Sequence, residues 1–64
     1  MDYIGCVIST ITSTGEINLN DQVAEVIRET KEDYLKNNEE VTVIPHQITN
    51  TQNNKYVIIF HIYK

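Results

Sequence analysis

The chain has no tryptophan, one cysteine, one proline and two glycines. A lone thiol, Cys6, excludes an intramolecular disulfide framework and fits a reducing compartment. No glycine-rich phosphate loop, no paired carboxylates in an apolar setting and no Ser-His-Asp order is present. Cations are scarce as well. Five Lys and Arg stand against nine Asp and Glu, a net charge of −4, and Arg28 is the sole arginine. Contact with a phosphate backbone needs clustered Lys and Arg, so nucleic acid is not an expected partner. No apolar run is long enough to span a bilayer, and no basic segment precedes the first apolar residues, so neither a membrane span nor a signal peptide is expected. The expected location is cytoplasmic. The 64 residues read as a single small domain, 1–64, near the lower limit for a chain that folds without help.

What is present is organised around the last apolar run, Tyr56-Val57-Ile58-Ile59-Phe60-His61-Ile62-Tyr63. It is dense in β-branched and aromatic residues and too short for a convincing helix, so it reads as a strand. Side chains alternate along a strand, which puts Tyr56, Ile58, Phe60 and Ile62 on one face and Val57, Ile59, His61 and Tyr63 on the other. Both faces are apolar, so the strand is expected at the centre of its sheet. Residues 3–12 form another strand, in which Ile4, Cys6 and Ile8 make the more continuous apolar set and are expected to face the core. Burial there would hide the Cys6 thiol and argue against a nucleophilic role. Gly5 is expected at a bulge or a close backbone approach, and residues 13–17 read as a turn with Gly15 free for positive φ.

A helix is expected to follow. Asn18 and Asn20 are good N-caps, and Asn18 with Asp21 resembles a weakened capping box. Leu19, Val23, Val26, Ile27, Thr30 and Tyr34 recur at helical spacing, with Ala24 and Leu35 on the flanks. Asn37-Asn38 is a plausible stop. Between Asn18 and Glu40 lie seven acids and three bases, a difference equal to the whole net charge. The acidity is local to the helix. Residues 41–48 form a further strand, which Pro45 confines to an edge or a bulge. Residues 49–55 make a polar turn leading into the final strand.

The fold class is therefore α+β, in the order β-α-β-β. A three-stranded antiparallel sheet of order 1-3-2 carries one helix packed on one face. Nothing in the chain covers the other face. Burying one large apolar side chain is worth about 1.5–3 kcal/mol, which matters for a domain whose net stability is only a few kcal/mol. The expected solution is a homo-oligomer, with a different protein as the main competitor.

Cys6, His46 and His61 are the only soft ligands. Their spacing matches no metal motif, so no metal or other cofactor is expected, and a one-residue register change would separate the histidines. The candidate partner-binding residues are Glu25, Glu29, Glu32 and Asp33 on the acidic helix face. Tyr56, His61 and Tyr63 are the candidates for an oligomer interface or a ligand cavity between subunits.

The β-α-β-β order and the terminal segment Ile-Ile-Phe-His-Ile-Tyr-Lys resemble the very small sporulation-associated proteins of Gram-positive bacteria. The layout is similar, more distantly, to the dodecins, which form hollow flavin-binding oligomers; the tryptophan with which dodecins stack flavin is absent here. Anti-defence inhibitors encoded by phages share the size and the acidic surface. Low arginine with abundant Ile, Asn and Thr suits an AT-rich bacterial or phage genome. The expected function is thus non-enzymatic: a small oligomer that acts by binding another protein, as a phage- or sporulation-linked regulator or inhibitor. The alternative is a dodecin-like small-ligand binder.

Overall fold

The computed structural model describes residues 1–16 and 18–64. It contains β1 (Tyr3–Thr12), α1 (Leu19–Leu35), β2 (Thr42–Gln52) and β3 (Lys55–Tyr63). The strands form one antiparallel sheet in the order β1-β3-β2. The apolar run that opens on Tyr56 is thus the central strand, as its two oily faces require. A backbone pair at Asp2 and Lys64 closes the β1–β3 ladder at one end, each N–H donating to the other's carbonyl.

Local chemistry explains where α1 begins and ends. Asn18 has extended backbone angles, and its side-chain oxygen accepts from the Asn20 N–H at 2.7 Å, satisfying a donor that the first turn leaves over. Gln22 donates its side-chain amide to the Thr12 carbonyl at 3.0 Å, fastening the first turn to the end of β1. The helix stops where Asn38 takes a φ of 60°, a conformation asparagine tolerates better than most residues. The β2–β3 turn uses the same device at Asn53, with a φ of 47°. Both glycines do without it: neither has positive φ, so the expectation for Gly15 is not met. Of the turn expected at 13–17, Ile17 lies outside the described residues. β2 runs four residues further than the sequence suggested, and the turn is correspondingly tighter.

The core is one cluster between α1 and the sheet: Ile11, Val41, Val43, Ile58, Phe60 and Ile62. Phe60 and Ile58 have no solvent exposure at all. Val7, Leu19, Val23, Val26, Ile27, Tyr34 and Tyr56 pack against them. The expected helix stripe therefore meets the sheet, and Leu35 on its flank remains exposed.

The first strand has the opposite phase to that expected. Ile4, Cys6 and Ile8 do not face the core; all three are exposed, and Val7 and Ile11 point inward instead. The cause is non-local. β1 leads directly into α1, so its last inward residue must lie beneath the incoming helix. Ile11, only 3% exposed, fills that place, and a two-residue period then fixes the residues before it as far back as Gly5. Across the sheet this sets Val7 opposite Phe60 and Ser9 opposite Ile58. The register irregularity between Tyr3 and Gly5 supplies the bulge expected near Gly5. The alternative of a close backbone approach is excluded, because a Cβ built on Gly5 would meet nothing within 4 Å.

Candidate functional site

The face of the sheet turned away from α1 gathers the side chains with the most chemistry. β3 contributes Val57, Ile59, His61 and Tyr63. Their cross-strand neighbours on β1 are Thr10, Ile8, Cys6 and Tyr3, and on β2 they are Thr49, Gln47, Ile44 and Thr42. Ile8 is 64% exposed and Ile44 39%. Among the described residues nothing packs over this surface, since α1 lies on the other side.

An irregularity in β2 completes the site. The register shifts between Pro45 and Gln47, so the strand carries one extra residue there, His46. Pro45 itself costs the ladder nothing: it pairs with Phe60, whose backbone groups face β1, so its missing N–H falls on the outer edge. Ile48 is moved to the helix side, opposite Ile58, but beyond the reach of α1, where it stays exposed. His46 stays on the open face and stacks on His61, with ring centroids 3.9 Å apart and planes 13° from parallel.

Around this pair the aromatic rings form one corner cluster. Tyr3 meets His61 edge-on at 5.1 Å and Tyr63 at 5.9 Å. His61 Nδ1 lies 3.4 Å from the Tyr63 hydroxyl. The Tyr3 phenol is held above its ordinary pKa, first by its hydrogen bond with the Cys6 side chain and then by desolvation. One end of the face is therefore aromatic and polar-tipped, and the remainder is aliphatic. Such a surface suits contact with protein, where amphipathic rings and aliphatic patches contribute most of the binding energy.

The cluster is not built as a metal centre. Among the described residues no group of three or more His, Cys, Asp or Glu is placed to hold an ion. Stacked rings present their faces to each other, whereas ligation needs nitrogen lone pairs converging on one point.

The candidate residues fall into three places. His61 and Tyr63 are together on the open face. Tyr56 is on the opposite face, packed against the core, and so lines no surface with them; its position in the same run as Ile58 and Phe60 already carried that signal. Glu25, Glu29, Glu32 and Asp33 line the exposed side of α1, where bases partly neutralise them. Arg28 is paired with both Glu25 and Glu32, the latter at 2.6 Å. Lys36 approaches Asp33 at 3.7 Å. Arg28 is held above its usual pKa chiefly by the hydrogen bonds to its two carboxylates.

Sequence reasoning missed Cys6 and Ile8 as members of the open face, because the phase of β1 was assigned the other way; Tyr3 joins them there through the register irregularity between Tyr3 and Gly5. A depression of about 380 Å³ lies elsewhere, between the end of α1 and the start of β2. Its lining of Lys31, Leu35, Glu40 and Val41 offers no constellation for chemistry. No helix among the described residues is long and apolar enough to cross a membrane. No protein-family model, curated protein or solved structure matches the chain.

Proposed function

We propose that this protein is a non-enzymatic, self-assembling binding protein of the cytoplasm, whose working surface is the open face of the sheet. One observation carries the reading: Tyr3, Ile8, Ile44, Ile59, His61 and Tyr63 share a face that none of the other described residues covers. Three strands of roughly ten residues, spaced about 4.8 Å apart, give that face an outline of about 500 Å². A stable interface buries about 800 Å² per partner, so the face would supply the larger part of one. Assembly through it would remove the exposed aliphatic groups from water and set their free energy against the ordering cost of a small domain.

The acidic side of α1 is the weaker candidate for docking a basic partner, because Arg28 and Lys36 already answer three of its four carboxylates. In an assembly built on the sheet, α1 would remain outward and serve solubility. A small regulator or inhibitor, of the kind suggested by the resemblance to sporulation-associated and anti-defence proteins, acts by occupying a surface of its target. An uncovered aromatic and aliphatic face is suited to that.

The test is the mass of the protein in solution, by light scattering after size exclusion. The wild-type chain is expected to run as more than one copy at 50–500 μM, a range chosen to bracket micromolar self-affinity. Ile59→Lys places a charge in the middle of the open face and is expected to lower the mass while circular dichroism stays unchanged. A wild-type monomer throughout, or an Ile59→Lys variant of unaltered mass, overturns the reading.

A further inference from the structure

The two edges of the sheet are guarded unequally. β2 carries Pro45, which offers no N–H, and two register irregularities, between Pro45 and Gln47 and between Asn50 and Gln52. Both devices turn aside an incoming strand. β1 has neither over most of its length. From Gly5 to Thr12 it stays in unbroken register with β3, and Tyr3–Thr12 contains no proline and no charged side chain. A long uncharged edge of this kind is a template for another strand.

The ladder shows which backbone groups point outward. The Ser13 N–H donates to the Asn54 carbonyl at 2.8 Å, so the backbone of Ser13 is turned toward the β3 side. Backbone groups alternate sides along a strand. Those of Ile11, Ser9, Val7 and Gly5 therefore also face β3, and those of Thr12, Thr10, Ile8 and Cys6 face away from the sheet.

We propose that β1 pairs antiparallel with β1 of a second copy, in a two-fold register centred on Ile8. The proposal rests on the reading that the chain self-assembles, and adds an edge contact to the one made through the open face. In this register Ile8 meets Ile8 of the second copy, Cys6 meets its Thr10, and Val7 meets its Ser9. The outward-facing backbone groups of Cys6, Ile8 and Thr10 then meet those of Thr10, Ile8 and Cys6 of the second copy, and side chains stay on matching faces. A shift of one residue sets open-face side chains against helix-side ones and is excluded. Centring on Ile8 keeps the junction within the regular part of the strand. It also sets the most exposed aliphatic side chain of β1 against its own copy.

Charge does not oppose the contact. Each copy bears −4, and β1 carries no charged side chain to set against its own copy. Strand spacing of about 4.8 Å places the two helices, each above the middle of its own sheet, about 14 Å apart. That exceeds the 8–10 Å of direct helix packing, so the acidic faces are not forced together. The product is a six-stranded sheet with both helices on one side and an open face twice as wide on the other.

Thr10→Cys tests the register. A hydrogen-bonded antiparallel pair has its Cα atoms about 5.5 Å apart, within disulfide reach, so Cys6 of each copy would lie beside the introduced thiol of the other. Within one chain the two positions are about 13 Å apart along the strand and cannot join. Oxidised glutathione takes up the two electrons and two protons of each thiol pair and leaves as two molecules of the reduced tripeptide. On a non-reducing gel the T10C chain is expected to run as a covalent dimer, while wild type and Ser9→Cys stay single. Thr10→Pro is the second arm. It deletes one outward N–H and no bond to β3, and is expected to halve the solution mass with an unchanged circular dichroism spectrum. If wild type assembles but T10C stays single, or T10P keeps its full mass, the β1 contact is overturned and the open-face reading stands. If wild type is a monomer at 500 μM, both fall.

Discussion

At the scale of single residues, the informative positions are those whose neighbourhood contradicts their type. Gly5 sits inside a strand, where glycine normally signals a bend or a tight approach, and the bend is there: the β1 register slips between Tyr3 and Gly5. The tight approach is not, since a Cβ would meet nothing within 4 Å and φ is not positive. Glycine at this site therefore brings no packing benefit, only extra freedom in the unfolded chain. Gly5→Ala is expected to stabilise the domain by about 0.4–1 kcal/mol, read as a higher midpoint in urea with an unchanged slope. A lower midpoint would show that the bulge itself needs glycine. Cys6 makes the complementary case. A cysteine between two isoleucines looks like a core residue, yet it is exposed beside Tyr3 and opposite His61, because Ile11 and the helix above it set the phase of the strand.

At the scale of elements, α1 is amphipathic and contains no fully buried residue, so it depends on caps and side-chain pairs more than a deeply packed helix would. Its best-defined surface pairing is Arg28 with Glu25 and Glu32. The hydrogen bond from Arg28 holds the Glu25 carboxyl below its ordinary pKa, outweighing the desolvation that acts against it, and the guanidinium charge adds to the effect. The sign follows from linkage: a carboxylate with a lower pKa folded than unfolded contributes stability above its unfolded pKa, and that contribution is lost as pH falls through the folded value. Glu25→Gln is expected to lower the melting temperature by no more than a few degrees at pH 7, with the gap to wild type closing as pH falls below the ordinary carboxylate range. A gap that persists in acid would point to helix propensity instead of the ion pair. The boundaries of α1 were legible in the sequence because capping is local: Asn18 opens the helix and Asn38 closes it. The order β1-β3-β2 was legible too, since only a central strand has reason to be apolar on both faces, and Pro45 marks an edge. The phase of β1 and the bulge at His46 were not, because both are settled by partners distant in sequence. Those two features place Cys6 and His46 beside His61, and the slip between Tyr3 and Gly5 adds Tyr3.

At the scale of the whole molecule, the domain is one sheet and one helix thick, and the core is correspondingly small. Six buried apolar residues form it, while Tyr3, Ile4, Ile8, Ile44 and Ile48 remain substantially exposed. A domain this thin gains more from a second layer than from any improvement within its own. If the open face is covered by assembly, folding and association are linked by mass action, and the apparent stability must depend on concentration. For a two-state dimer each tenfold rise in concentration adds about 0.7 kcal/mol per chain, which for a domain of this size moves the melting temperature by roughly 3–6 °C. The wild-type midpoint, followed by circular dichroism from 5 to 500 μM, is expected to climb by that amount per decade. Ile59→Lys, which charges the centre of the face, is expected to melt at a temperature less sensitive to dilution. The contrast between the two slopes matters more than either midpoint, because a lysine on a strand can shift intrinsic stability without touching an interface. Equal slopes for the two chains would mean that the face contributes nothing to assembly. A flat wild-type slope would mean that one sheet and one helix suffice, with the isoleucines of the open face left in water.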